Sequence, residues 1–145
     1  MYKHILIPID KSDLSNKAVE QGVLFAKEID AKITAVTVTD PLLLVLGSRQ
    51  FDFSSPIEYT TLVETYAEEV LGAVSAAAQA AGVPCETLRM EHGQAYQAII
   101  DAAEARSCDL IVMASHGRRG ASAVVLGSVT VKVLTHSKIP VLVYR

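Results

Sequence analysis

The sequence contains no tryptophan and only two cysteines in 145 residues. Cys85 and Cys108 lie far apart, in no Cys-x-x-Cys or Cys/His spacing, so a redox pair and a structural metal both drop out, and the two thiols read as inert packing residues. Neither sign of charge is in large excess: 13 Lys and Arg against 16 Asp and Glu give a formal charge of -3. That balance provides no overall pull toward nucleic acid or anionic lipid. No stretch approaches the ~18 unbroken apolar residues of a membrane helix. The opening MYKHILIPID is too short an apolar run for a secretory signal and is interrupted by Pro8 and Asp10. The expectation is a cytoplasmic protein that binds neither nucleic acid nor membrane.

Half of the residues are hydrophobic and 20% are charged, as in ordinary globular proteins, and the length suits one domain over residues 1–145. Ile5 to Ile9 form a nearly continuous apolar run, the mark of a strand covered on both faces. Ser12 or Asp13 can cap a helix in which Leu14, Ala18, Val19, Val23, Ala26 and Ile29 recur at three- and four-residue steps. The β-branched stretch from Ile33 to Thr39 predicts a second strand.

Between Asp40 and Pro56 the period is lost, and a long, partly packed loop or lid is expected. A helix over about 57–81 closes at Gly82. Pro84 to Met90 predicts a third strand, weakened by Glu86 and Arg89 and so suited to a sheet edge. A short helix from Ala95 to about Arg106, a buried strand from Leu110 to Ala114, a helix from about Ser128 to His136 and a strand from Pro140 to Tyr144 complete the chain.

Strand and helix therefore alternate throughout, which predicts an α/β fold with a parallel sheet between helix layers, doubly wound by right-handed crossovers. In such sheets ligands sit beyond the C-terminal strand ends, where the strand order reverses. That rule points to Asp10, Val38 and the loop after Ala114.

The loop Ala114 to Ser128 carries the strongest local signal. Backbone N–H groups of Gly117, Gly127, Ser128 and Val129, with the positive end of the last helix behind them, suit phosphate oxygens; equally, these glycines can serve only the turns. His116 is suited to touching phosphate, to proton transfer or merely to propping the loop, and Arg118 and Arg119 to screening phosphate or to solvation. His4, His92 and His136 read as structural or exposed.

Ser115-His116-Gly117, nine further residues, then Gly127-Ser128-Val129 resembles the motif G-x-x-G-x(9)-G-[S/T] of the ATP-binding universal stress proteins. The likeness extends to Ile7-Pro8-Ile9-Asp10, Val38-Thr39-Asp40 and the closing Lys138 to Val143, and departs at one point, Ala114 standing at the first glycine. The resemblance implies a five-stranded, Rossmann-like sheet in the order 3-2-1-4-5. It further implies that Asp10 bonds the ribose hydroxyls, that the Val38 backbone reads the adenine edge and that Pro8 walls the pocket, with Ala114 and His116 beside it. Gly117, Gly127, Ser128 and Val129 would take the phosphates.

The implied ligand is an adenine nucleotide, ATP, alone or with a divalent cation such as Mg2+. The implied partner is a second copy of the chain, joined through the C-terminal strand; which downstream protein it meets is not written in the sequence. No Walker string G-x-x-x-x-G-K-[S/T] occurs, and Asp10 to Ser15 stands where a dehydrogenase carries G-x-G-x-x-G. A flavodoxin-like carrier lacks its phosphate loop and stacking aromatics, and a hydrolase triad lacks the G-x-S-x-G elbow. A regulatory nucleotide-binding module with at most slow hydrolysis is expected; the alternatives are a dimeric scaffold with a vestigial site and a cyclic AMP binder.

Overall fold

The computed structural model describes residues 1–40, 56–116 and 125–145. The expected loop or lid over 41–55, and Gly117, Arg118 and Arg119, lie outside the described residues. In chain order the elements are β1 (His4–Pro8), α1 (Asp13–Glu28), β2 (Lys32–Thr39), α2 (Pro56–Ala81), β3 (Cys85–Glu91), α3 (Ala95–Ala105), β4 (Leu110–Ala114), α4 (Ser128–His136) and β5 (Val141–Tyr144). The five strands form one parallel sheet in the order β3-β2-β1-β4-β5, with β3 and β5 at its edges.

Alternate residues of the buried strands feed two cores, as the pleat requires. Ile5, Ile7, Ile33 and Val112 pack with Val19 and Val23 of α1 and Val70 and Val74 of α2. Leu6, Val36 and Ile111 point the other way, to Ile99 and Ala103 of α3 and Val133 of α4. The continuous apolar strands are thus covered on both faces. α1 lies so close to the sheet that a Cβ on Gly22 would stand 2.7 Å from Ile7 Cδ1. The weaker β3 lies at an edge, where Glu86 and Arg89 form exposed ion pairs with Arg106 and with Glu64 and Glu91.

At the N-terminal ends of the strands a polar network crosses the sheet. His4 is buried, and its Nε2 lies 2.7 Å from Thr34 Oγ1; the Thr34 hydroxyl donates to Glu86 Oε1 at 2.8 Å, and Arg106 Nη1 donates to Glu86 Oε2 at 2.9 Å. Thr34 has one proton and spends it on Glu86, so His4 must supply the proton in the bond between them. The Asp109 carboxylate accepts the backbone N–H groups of Lys3 and His4, at 2.8 and 3.0 Å. Burial pushes the thiol of Cys108 up to about 11 and raises that of Cys85, which in both favours the thiol over the nucleophilic thiolate.

Candidate functional site

The crevice follows from strand pairing. β1 pairs with β2 through its full length, from His4↔Lys32 to Pro8↔Val36, but with β4 only at Ile5↔Leu110 and Leu6↔Ile111. β1 lies between β2 and β4, so this early parting occurs at the topological switch point of the sheet. Beyond it lies a cavity of about 480 Å³, lined by Pro8, Asp10, Val38, Ala114, His116, Gly127, Ser128 and Val129 among others. Every described site residue expected from the sequence borders this one space. A second cavity, about 390 Å³, lies between α2 and the edge strand β3, away from the strand ends.

One wall is backbone. Ile9 N–H donates to Val36 C=O at 2.8 Å, so by the two-residue repeat of the strand Val38 turns its N–H and C=O to the same side. A continued ladder would give Lys11 N–H to Val38 C=O; instead Lys11 N–H donates to the Tyr66 hydroxyl at 3.0 Å. The chain at Asp10 has by then turned away toward α1. Val38 therefore presents a donor and an acceptor, side by side, beside the cavity.

Asp10 stands where β1 has ended. Its Oδ1 accepts Ser12 N–H at 2.8 Å, closing an Asx turn that fixes the side chain, and its own N–H donates to Ser15 Oγ at 3.0 Å. Ser12, not Asp13, is the N-cap of α1: its Oγ accepts Ser15 N–H at 3.1 Å. With that cap and Asp13 in its first turn, α1 offers no welcome to an anion.

The opposite wall is the start of α4, and here the end is left open. Its N-cap is Gly127, which has no side chain to accept a bond, and no acidic residue lies in the first turn. Gly127 N–H is spent on Ser115 C=O at 2.7 Å, while the N–H groups of Ser128, Val129 and Thr130 are the orphans that begin every helix. All three residues line the cavity. Thr130 Oγ1 donates to Ala114 C=O at 3.0 Å, which ties the helix to the end of β4. A Cβ on Gly127 would lie 3.1 Å from His116 Cα and 3.4 Å from Ser115 O, so any side chain there would press on the His116 backbone.

His116 borders the cavity with its Nδ1 3.1 Å from Ser115 Oγ. Several lining residues were not singled out in the sequence. Ser15 and Thr130 carry no motif, and Asp40 enters only as the last residue of the Val38-Thr39-Asp40 likeness; His92, read as structural or exposed, also borders the cavity, at the C-terminal end of β3. The rule that sites gather beyond strand ends could have found His92. Among the described residues no group of three His, Cys, Asp or Glu side chains is placed to hold a metal ion, and no helix is long and apolar enough to cross a membrane.

The arrangement suits a ligand with a polar planar edge, a hydroxyl and an anionic group. The profile of the universal stress protein family matches residues 1–145. The chain is 33% identical over 147 residues to universal stress protein MJ0531 of Methanocaldococcus jannaschii, an alignment covering all of this chain and 83% of that one. Among solved structures, MJ0577 superposes with a TM-score of 0.82 at 25% identity, over 99% of this chain and 95% of that chain. A universal stress protein in complex with cAMP matches with a TM-score of 0.68 at 23% identity, over 99% and 97% of the two chains. One from Archaeoglobus fulgidus in complex with dAMP matches with a TM-score of 0.67 at 18% identity, over 99% and 98%. This chain belongs to the universal stress protein family.

Proposed function

We propose that this chain binds an adenine nucleotide, ATP, in the crevice between β1 and β4, and that it acts in the cytoplasm as a regulatory module of the stress response. The observation that carries the proposal is the sharing of one cavity by three complementary features: the paired backbone groups of Val38, the carboxylate of Asp10 and the uncapped start of α4. A neighbouring donor and acceptor match the N1 and N6 edge of adenine. A carboxylate accepts from ribose hydroxyls, and orphan N–H groups at a helix N-terminus suit phosphate. The cAMP and dAMP complexes of fold neighbours support an adenine ligand. Mass spectrometry of the ligand released from freshly purified protein tests the class: an adenine nucleotide is expected, and a guanine nucleotide or a flavin would refute the reading.

Asp10→Asn keeps an oxygen for the Ser12 N–H but puts an amide where a ribose hydroxyl needs an acceptor. We expect it to fold normally and to lose about 1–3 kcal/mol of ATP binding. Titration calorimetry checks this, and an unchanged affinity would remove Asp10 from the site.

The module acts as a dimer in this reading. β5 is an edge strand, and Leu142, Val131 and Leu134 are large apolar residues exposed on it and on α4. A second β5 laid antiparallel across a two-fold axis would pair the open edge and cover these side chains. Sedimentation at micromolar concentration is expected to give the dimer mass, and Leu142→Lys to shift it toward the monomer. A wild-type monomer would refute the pairing.

A further inference from the structure

Ser15 lies in the first turn of α1, is only 3% exposed and borders the same cavity as Asp10 and Pro8. Its Oγ accepts the Asp10 N–H at 3.0 Å, and its own N–H is taken up by Ser12 Oγ at 3.1 Å. A serine hydroxyl also has one proton to give. Among the described residues no acceptor takes that proton, although a buried donor is normally paired. The hydroxyl group can rotate about Cβ–Oγ and still accept from Asp10 N–H, so the proton is free to turn into the cavity.

Asp10 has the opposite deficiency. Its ionised carboxylate can only accept, and Oδ1 already accepts from Ser12. A ligand hydroxyl that gives its proton to Asp10 retains oxygen lone pairs, which lose their water when the ligand enters the cavity. Ser15, joined to the Asp10 backbone, carries the missing donor.

We propose that Ser15 is a sugar-specificity residue: its hydroxyl donates to the same ribose hydroxyl whose proton Asp10 accepts, so that this oxygen is satisfied in both roles at once. This rests on the nucleotide reading given above. Neither half of the pair suffices, since a carboxylate alone leaves the hydroxyl oxygen without a donor and a serine alone leaves its proton without an acceptor. A sugar lacking that hydroxyl would strand both side chains, which makes the pair a discriminator between ribonucleotide and deoxyribonucleotide.

The test is titration calorimetry with ATP, 2′-deoxy-ATP and 3′-deoxy-ATP on the wild type and on Ser15→Ala, with folding of both followed by circular dichroism. The wild type is expected to prefer ATP over one of the deoxynucleotides by about tenfold or more. Ser15→Ala is expected to weaken ATP by about tenfold while changing that deoxynucleotide by less than about twofold, so that the preference collapses. Equal weakening for all three ligands would mean that Ser15 only holds the Asp10 turn, and would overturn the inference, as would an undiminished preference. A wild type that binds none of the three would instead overturn the nucleotide reading itself, and with it this inference.

Discussion

Gly127→Val is expected to abolish nucleotide binding while leaving the fold intact. The backbone at Gly127 has φ -63° and ψ 154°, a conformation open to valine, so the chain itself does not require glycine there. The requirement comes from the neighbours. A Cβ would sit 3.1 Å from His116 Cα and 3.3 Å from His116 Cβ, and the 2.7 Å bond from Gly127 N–H to Ser115 C=O leaves little room to draw back. The branched valine would press the His116 backbone away and shift the first turn of α4, whose N–H groups we assign to the phosphates. A loss of more than about a hundredfold in affinity, ~2.8 kcal/mol, is expected by calorimetry, with an unchanged circular dichroism spectrum. Unchanged affinity in a folded variant would mean that the nucleotide binds elsewhere.

The second large effect belongs to stability. Thr34→Val preserves the shape of a fully buried side chain but removes the hydroxyl that links His4 to Glu86, leaving a buried imidazole N–H without its acceptor. A cost of about 1–3 kcal/mol is expected in denaturant unfolding. The network also sets a direction for pH. Burial, followed by the charge of Lys32, lowers the pKa of His4 against the opposing pull of Glu86, Asp109 and the Arg106 carbonyl. The unfolded chain then binds the proton more readily than the folded one, so stability falls as pH drops below the ordinary histidine value of about 6.5.

Glu86 is lowered chiefly by the Thr34 hydroxyl, against desolvation and with help from Arg106 and His4. Asp109 is lowered because the backbone N–H groups of His4 and Lys3 outweigh the desolvation that alone would raise it. Both carboxylates contribute stability that is present above their ordinary values and lost as pH falls through the lowered ones. A two-stage loss on acidification is therefore expected, beginning below about pH 6.5 and steepening below about pH 4.5. In Thr34→Val the second stage should shrink, since the main cause of the Glu86 shift is gone. A stability profile flat from pH 7 to 4 would contradict the assignment.

Much of this architecture is legible in the sequence because local pattern and global fold agree. Ile5 to Ile9 and Leu110 to Ala114 lack polar alternation for the reason inferred, since helices cover both faces of those strands. β3 carries Glu86 and Arg89 because it is an edge. Boundaries shift by a residue where hydrogen bonding and apolar pattern part company: β1 ends at Pro8, although Ile9 remains buried and bonded to Val36.

Features that depend on distant partners are not legible. The Val38 carbonyl faces the cavity because Tyr66, far along the chain, takes the Lys11 N–H. His4, read as structural or exposed, is buried because β2 and β3 bring Thr34 and Glu86 into line with it. Ser15 looks like any serine in a first helical turn until the Asp10 N–H is seen to end on it. The constraint at Gly127 is contact with His116 and not an unusual backbone angle, which no local pattern reveals.

The most direct test of the nucleotide site is calorimetric titration of ATP into wild-type protein that has been unfolded, stripped of any copurified ligand and refolded. Saturable binding at one site per chain is expected, with adenosine competing and guanosine not, because only adenine matches the Val38 donor and acceptor in register. No heat of binding and no thermal shift at millimolar ATP, in protein with native circular dichroism, would contradict it.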